Sequence, residues 1–81
     1  MKDQLRLNIA TPAGVYEGTF DKTVKVQEVI STVVQQQGLS SGDSFELVYD
    51  GKVLAPVERP LVSFGLSDRA ELDLVATGSG V

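Results

Sequence analysis

The stretch VQEVISTVVQQQG, residues 26–38, is where the hydrophobic pattern of the chain changes its period, and it decides the fold. Its apolar residues recur at intervals of three and four, at Val26, Val29, Ile30, Val33 and Val34. This spacing predicts an amphipathic helix of about three turns, with the intervening polar residues facing water. Gly38 is predicted to end the helix in a left-handed conformation. Valine is a mediocre helix former, so we expect the helix to depend on packing.

Before this helix, apolar and polar residues alternate, which is typical of β-strands with one buried face. Two strands are predicted, from about Asp3 to Ala10 and from Val15 to Phe20. The turn signal Thr11-Pro12-Ala13-Gly14 joins them into an antiparallel hairpin. Gly18 lies inside the second strand, where it predicts a bulge or a close backbone contact.

After the helix the period of two returns. The sequence FELVYDGKVL, residues 45–54, predicts a strand, a tight Asp-Gly turn and a short return strand. Leu61 and Phe64 are expected to anchor a short 3₁₀ or helical turn. Leu72 and Leu74 then face inward in the last predicted strand.

Length and composition limit what this chain can do. The 81 residues suffice for one domain, and 42% of them are hydrophobic. Cysteine and histidine are absent, which excludes disulfides, thiolate nucleophiles, catalytic triads and the usual zinc sites. The net charge of -4 and the scattered basic residues argue against binding to nucleic acid or to anionic membranes. We therefore expect a protein that is not an enzyme and needs no cofactor or metal.

Two further expectations concern the membrane and the compartment. The apolar runs are too short to cross a bilayer. The chain begins with the polar residues Met1-Lys2-Asp3-Gln4 and not with a secretory signal, so a cytoplasmic location is expected.

The predicted order β-β-α-β-β-(short helical turn)-β resembles that of ubiquitin and the ubiquitin-like β-grasp proteins. Three stretches carry the resemblance: the entry into the helix at 23–30, the strand–turn–strand at 45–54, and the helical turn with the last strand at 61–75. The resemblance implies an α+β fold in which a mixed sheet packs on one helix. It also implies a β-grasp domain over residues 1–76 and a flexible tail over residues 77–81.

The resemblance also implies a function. Many ubiquitin-like proteins are protein modifiers whose terminal glycine is joined to an amine of a target protein. Their partners are an E1-like activating enzyme, an E2-like conjugating enzyme, a JAB-type or other processing peptidase, and the protein targets. The chain is similar to bacterial ubiquitin-like proteins that are encoded beside such enzymes. Other family members are sulfur carriers, or domains that only bind partners.

The end of the chain fits a modifier in part. Residues 76–80, ATGSG, are small and uncharged, as a segment that enters a narrow enzyme channel must be. The family's modifiers and sulfur carriers end in Gly-Gly, whereas this chain ends in Gly80-Val81. Either a peptidase removes Val81 and exposes the Gly80 carboxylate, with Gly78 and Ser79 in the tail before it, or the tail is not conjugated. A frayed terminus of small residues without a function is also common.

The resemblance further suggests a binding surface. Strand alternation predicts that Val48 and Val75 point outward, at positions where ubiquitin-like proteins carry the apolar patch that partners recognise. Lys52 follows the Asp-Gly turn at the position of a lysine that ubiquitin uses for chains, and we expect it to complete the partner-binding patch with Val48 and Val75. The alternatives are ordinary: isolated surface valines and a solvated turn lysine need no functional explanation. If the patch does bind partners, the chain is a modifier with a recognition face or a non-covalent β-grasp interaction module.

Overall fold

The computed structural model describes residues 4–39 and 44–77 and shows, within them, five strands, one α-helix and one 3₁₀ helix. In chain order these are β1 Gln4–Thr11, β2 Gly14–Asp21, α1 Val26–Gln36, β3 Phe45–Tyr49, β4 Lys52–Val53, the 3₁₀ helix Leu61–Phe64 and β5 Ala70–Ala76. This order is the one that the sequence predicts. In the described part of the chain, no helix has the length and apolar character needed to cross a membrane.

The five strands form one mixed sheet in the order β2-β1-β5-β3-β4. The neighbours β1 and β5 run parallel, and the other neighbouring pairs run antiparallel. The last strand in sequence is therefore the central strand of the sheet. This arrangement places the last residues of β5, Val75 and Ala76, beside β3, which carries part of the predicted binding surface.

The core lies between α1 and one face of the sheet. Val26, Val29 and Val33 of the helix are completely buried, as their spacing predicts. The sheet contributes the inward-facing residues of β1, β3 and β5, namely Leu5, Leu7, Ile9, Leu47, Ala70, Leu72 and Leu74. Leu54, Leu61 and Leu66 close the core from the connecting segments. Since these side chains take up one face of the sheet, the alternating residues must point to the opposite face.

Backbone hydrogen bonds satisfy both ends of the helix. At its start, the N–H groups of Val26 and Gln27 donate to the carbonyl oxygens of Arg59 and Val57, over 3.1 and 2.9 Å. At its end, Gly38 has φ +67° and Leu39 N–H donates to the carbonyl oxygen of Val34. The left-handed glycine that the sequence predicts is thus present. A connecting segment, instead of a capping side chain, binds the first N–H groups of the helix.

Gly18 is explained by a close contact. It pairs with Leu7 in an unbroken β1–β2 ladder, so the alternative of a bulge is wrong. A Cβ atom at this position would lie 2.7 Å from Cε2 of Tyr16 and 3.2 Å from Cε2 of Phe20. The close neighbours are thus side chains and not backbone: the two aromatic rings pack over Gly18, extend the core to the edge of the sheet, and would have to shift to admit a Cβ atom.

A candidate protein-binding face and the exit of the C-terminal segment

The outward-pointing residues of the sheet form a continuous surface, which we call the exposed face. Its apolar members are Ala10, Val15, Val48, Val53 and Val75. Its carboxylates are Glu17, Asp21, Glu46, Glu71 and Asp73. Each of them alternates along its strand with inward-facing residues, so the orientation of the whole surface is fixed by the core.

Val48 and Val75 lie on neighbouring strands of the exposed face. Val48 is opposite Asp73 and Val75 is opposite Glu46, so the two valines are diagonal neighbours, with Cα atoms about 7–8 Å apart. Val75 is 43% exposed, whereas Val48 is half-buried. Val53, 45% exposed, is directly opposite Val48 on β4. The structure thus brings the two predicted valines together and adds Val53, which the sequence analysis missed.

Lys52 points to the other side of the hairpin. It pairs with Tyr49, whose ring packs against the core cluster, whereas Val53 pairs with Val48 on the exposed face. The turn between them, Asp50 with φ +54° and Gly51 with φ +77°, is the tight two-residue connection expected of Asp-Gly. Lys52 is exposed at the rim of the sheet and is separated from the valine patch by strand alternation.

The C-terminal segment leaves the sheet beside β3. Pairing of β5 with β1 extends to Asp73, and pairing with β3 extends to Ala76 opposite Phe45. The Thr77 N–H then donates to the carbonyl oxygen of Ser44 over 2.8 Å. The predicted conjugation residue Gly80, and Gly78, Ser79 and Val81 around it, lie outside the described residues. Hydrogen bonds to β3 and to Ser44 therefore fix the chain as far as Thr77, two residues after Val75 of the exposed face.

A shallow depression lies on the exposed face where β2, β1 and β5 meet. Its volume is about 390 Å³, and its lining includes Ala10, Val15, Glu17, Glu71 and Asp73. Val15 is the most exposed large apolar residue of the described chain, at 68%. The described residues contain no cluster of three or more potential ligands that could hold a metal ion. The depression combines carboxylates with an apolar wall.

A second depression, of about 650 Å³, lies between α1 and the start of β3. Its apolar lining comes from Ile30, Val34, Leu39 and Phe45, all half-buried. It contains none of the candidate binding or conjugation residues that the sequence indicated. Ile30 and Val34 were expected on the buried side of the helix. In the structure they are only half-buried, because this side of α1 extends beyond the sheet and borders an open groove.

Asp68 forms the clearest polar contact near the exposed face. Its carboxylate accepts a hydrogen bond from the backbone N–H of Arg6 over 2.9 Å, just before β5 begins to pair with β1. This hydrogen bond is the main reason that the pKa of Asp68 lies below its ordinary value, and the charges of Arg6 and Arg69 add to it. The contact joins residues far apart in sequence and holds the start of β5 against β1.

Comparisons with known proteins identify the fold. No protein-family model matches the chain. No curated protein matches it either. Solved structures do: the ubiquitin-like domain of an Arabidopsis thaliana protein has a TM-score of 0.81 at 16% identity and covers 98% of this chain and 82% of its own. Caldiarchaeum subterraneum ubiquitin has a TM-score of 0.78 at 21% identity and covers 96% of this chain and 99% of its own.

A third similar structure is ATBAG1 from a complex with HSP70, with a TM-score of 0.75 at 19% identity. This match covers 89% of the present chain and 40% of the ATBAG1 chain. The fold is therefore that of the ubiquitin-like β-grasp proteins, as the resemblance in sequence implies.

Proposed function

We propose that this protein is a ubiquitin-like protein modifier, conjugated to target amines through the carboxylate of Gly80 after Val81 has been removed. The observation that carries the proposal is the position of β5. The central strand β5 ends at Ala76, and Thr77 makes one further backbone hydrogen bond, to Ser44. In the sequence, the small residues Gly78, Ser79 and Gly80 follow directly. The central strand is thus followed by residues small enough to enter the narrow channel of an activating enzyme.

The chemistry requires enzymes of three classes. A peptidase hydrolyses the Gly80–Val81 bond, releases valine and leaves the Gly80 carboxylate. An E1-like enzyme joins this carboxylate to AMP from ATP, with release of pyrophosphate, and its cysteine thiolate then displaces AMP to form a thioester. After transfer to an E2-like cysteine, a lysine amine of the target attacks the thioester carbonyl. The isopeptide bond forms and the thiol leaves. The protein itself is the substrate throughout and supplies no catalytic group.

The proposed function has consequences for where the protein works and for the surface that the enzymes recognise. Conjugation consumes ATP, so we propose a cytoplasmic location and, following the resemblance, a bacterial source. The enzymes must recognise a feature close to the tail, and Val48 and Val75 are suitably placed because Val75 lies two residues before Thr77. Lys52 is a solvent-exposed amine that other enzymes of the system can use as an acceptor.

The test is an activation assay with an E1-like adenylating enzyme from the organism that produces the protein. We expect the variant that ends at Gly80 to support ATP–pyrophosphate exchange and to form a thioester adduct visible by intact mass. The full chain should do so only after the peptidase is added. The matched control is the same shortened chain carrying Gly80→Asp, whose side chain obstructs a narrow channel. If no adduct forms with or without Val81, the proposal fails.

A second function has one observation in its favour. Val53 and Val75 are large apolar residues left exposed on one face, and exposed apolar clusters mark surfaces that bind other proteins. The chain would then be a non-covalent interaction module that binds through this face. A variant shortened at Thr77 separates the two functions: a module keeps its activity in cells, whereas a modifier loses it completely.

A further inference from the structure

The exposed face combines apolar residues with carboxylates in a fixed register. Ala10 is opposite Val15 on one side and Asp73 on the other, and Asp73 is opposite Val48. A single row across four strands therefore contains apolar side chains with one carboxylate at its centre. We propose that this face binds a partner segment in which an arginine stands between apolar side chains, with its guanidinium in the depression beside Asp73.

The geometry of the carboxylates fits one guanidinium. Glu17 and Glu71 are both opposite Asn8, so their Cα atoms are two strand spacings apart, about 9.6 Å. Asp73 follows Glu71 on the same side of β5, about 6.7 Å further along the strand. The three side chains border the same depression of about 390 Å³. A guanidinium with five N–H donors can contact two of these carboxylates at once, which a compact ammonium does less well.

The apolar part of the surface fits the residues beside that arginine. Val15 forms the wall of the depression on β2, Val48 lies opposite Asp73 on β3, and Val75 follows Asp73 on the same side of β5. The methylene groups of an arginine pack well against such a wall while the charged end reaches the carboxylates. Apolar neighbours in the partner segment would cover the valines. The valines alone would bind any apolar segment, and the carboxylates alone would bind any cation. Together they favour a partner segment in which an arginine has apolar neighbours.

The charge of the face excludes other occupants. A second copy of the chain placed face to face would bring the carboxylates of Glu17, Glu46, Glu71 and Asp73 against the same residues of its partner. Nucleic acid and anionic membranes would be repelled in the same way. Arg6 shares this face, but it lies two residues along β1 from Asn8 and its charge acts on Asp68. A cationic protein segment is the occupant that the charges favour.

This inference rests on the binding role proposed for Val48 and Val75, but it is independent of conjugation through Gly80. The probe is a set of three acetylated peptides, Ser-Leu-Val-X-Val-Leu-Ser, in which X is arginine, its uncharged isostere citrulline, or glutamate. We titrate each peptide into ¹⁵N-labelled full chain and follow the backbone amide signals. The arginine peptide should shift the signals of Ala10, Val48, Asp73 and Val75.

The expected order of affinity is arginine, then citrulline, then glutamate. Two charge-assisted contacts at an exposed site should make citrulline about five- to tenfold weaker than arginine. The double variant Glu71→Gln, Asp73→Asn, which leaves only Glu17 charged beside the depression, should remove most of the difference in affinity between the arginine and citrulline peptides and leave the affinity for citrulline unchanged. Glu28→Gln, on the exposed side of α1, is the matched control and should change nothing.

Three outcomes would overturn the inference. Equal affinities for arginine and citrulline would show that charge is not recognised. Shifts confined to Ile30, Val34 and Leu39 would place binding in the groove beside α1. The absence of any shift at millimolar peptide would remove the face as a site for this chemistry. None of these outcomes affects the activation assay on Gly80, so failure of this inference and failure of the proposed function can be told apart.

Discussion

Replacing Leu47 by alanine tests the strand alternation on which the exposed face depends. Leu47 is completely buried and faces Leu74 across the central strand pair. The substitution removes the equivalent of three methylene groups, or about 2.4 kcal/mol of transfer free energy. The cavity left in a packed core adds to this loss, so we expect the free energy of unfolding to fall by about 3–4 kcal/mol.

Val48→Ala is the matched control because Val48 is the next residue on the same strand and points the opposite way. It is half-buried, and the substitution removes only two methylene equivalents from a surface that water already reaches. We expect a loss of about 1 kcal/mol or less. This small cost would also make Val48→Ala a usable variant for binding experiments.

The assay is urea unfolding followed by circular dichroism, with the melting temperature as a second measurement. In a domain of this size, 1 kcal/mol corresponds to about 4–8 °C, so Leu47→Ala should melt at least about 12 °C lower than the unaltered protein. If that variant does not fold, Leu47→Val, with an expected loss of about 1 kcal/mol, is compared with Val48→Thr, which keeps the size of the outward-pointing side chain and should cost less than about 0.5 kcal/mol. Equal losses at Leu47 and Val48, or a larger loss at Val48, would refute the orientation of β3 and with it the exposed face.

Three further substitutions test local features of the fold. Gly18→Ala should cost about 1–2 kcal/mol of unfolding free energy, because the new Cβ would lie 2.7 Å from the ring of Tyr16. Gly38→Ala should cost about 1 kcal/mol, because alanine disfavours the φ of +67° at the end of α1. Asp68→Asn should remove a pH-dependent part of the stability. The folded pKa of Asp68 lies below its ordinary value, so its hydrogen bond to Arg6 N–H stabilises the fold above the unfolded-state pKa. That contribution is lost as the pH falls through the folded pKa, and NMR titration of the Asp68 carboxyl measures this pKa directly.

Each of these expectations has a contrary result. A neutral or stabilising Gly18→Ala would show that the Tyr16 ring does not occupy the space above Gly18. A neutral Gly38→Ala would show that the helix does not end in a left-handed residue. Urea curves for the unaltered protein and Asp68→Asn that differ equally at neutral and acidic pH would show that ionisation of Asp68 plays no part.

The fold was predictable where local patterns reflect burial directly. The three- and four-residue spacing of the valines marks the buried side of α1, and the alternation of Leu47 and Val48 separates the two faces of β3. The polar contacts that fix the ends of these elements could not be predicted. Asp68 binds Arg6 N–H across 62 residues of chain, and no local pattern indicates that contact.

The candidate site was predictable to a similar extent. Alternation indicates that Val48 and Val75 point outward, but their proximity depends on β3 and β5 being neighbours, which only the resemblance implied. Val53 was missed because its orientation follows from the two-residue turn that pairs it with Val48. The role of Glu71 and Asp73 beside Val15 depends on the parallel pairing of β1 with β5. Alternation within single strands contains no information about that pairing.

The most direct measurement of conjugation uses the chain's own cleavage pattern. Arg69 is the last basic residue, so trypsin leaves residues 70–80, AELDLVATGSG, attached to any lysine that has been joined to Gly80. Proteins purified through an epitope-tagged form of the chain, under denaturing conditions from the cells that produce it, are digested and sequenced by mass spectrometry. Conjugation predicts target lysines that carry this remnant and that disappear in the Gly80→Asp variant. Recovery of the C-terminal peptide only in its free form, still ending in Val81, would contradict the proposal that this protein is a modifier.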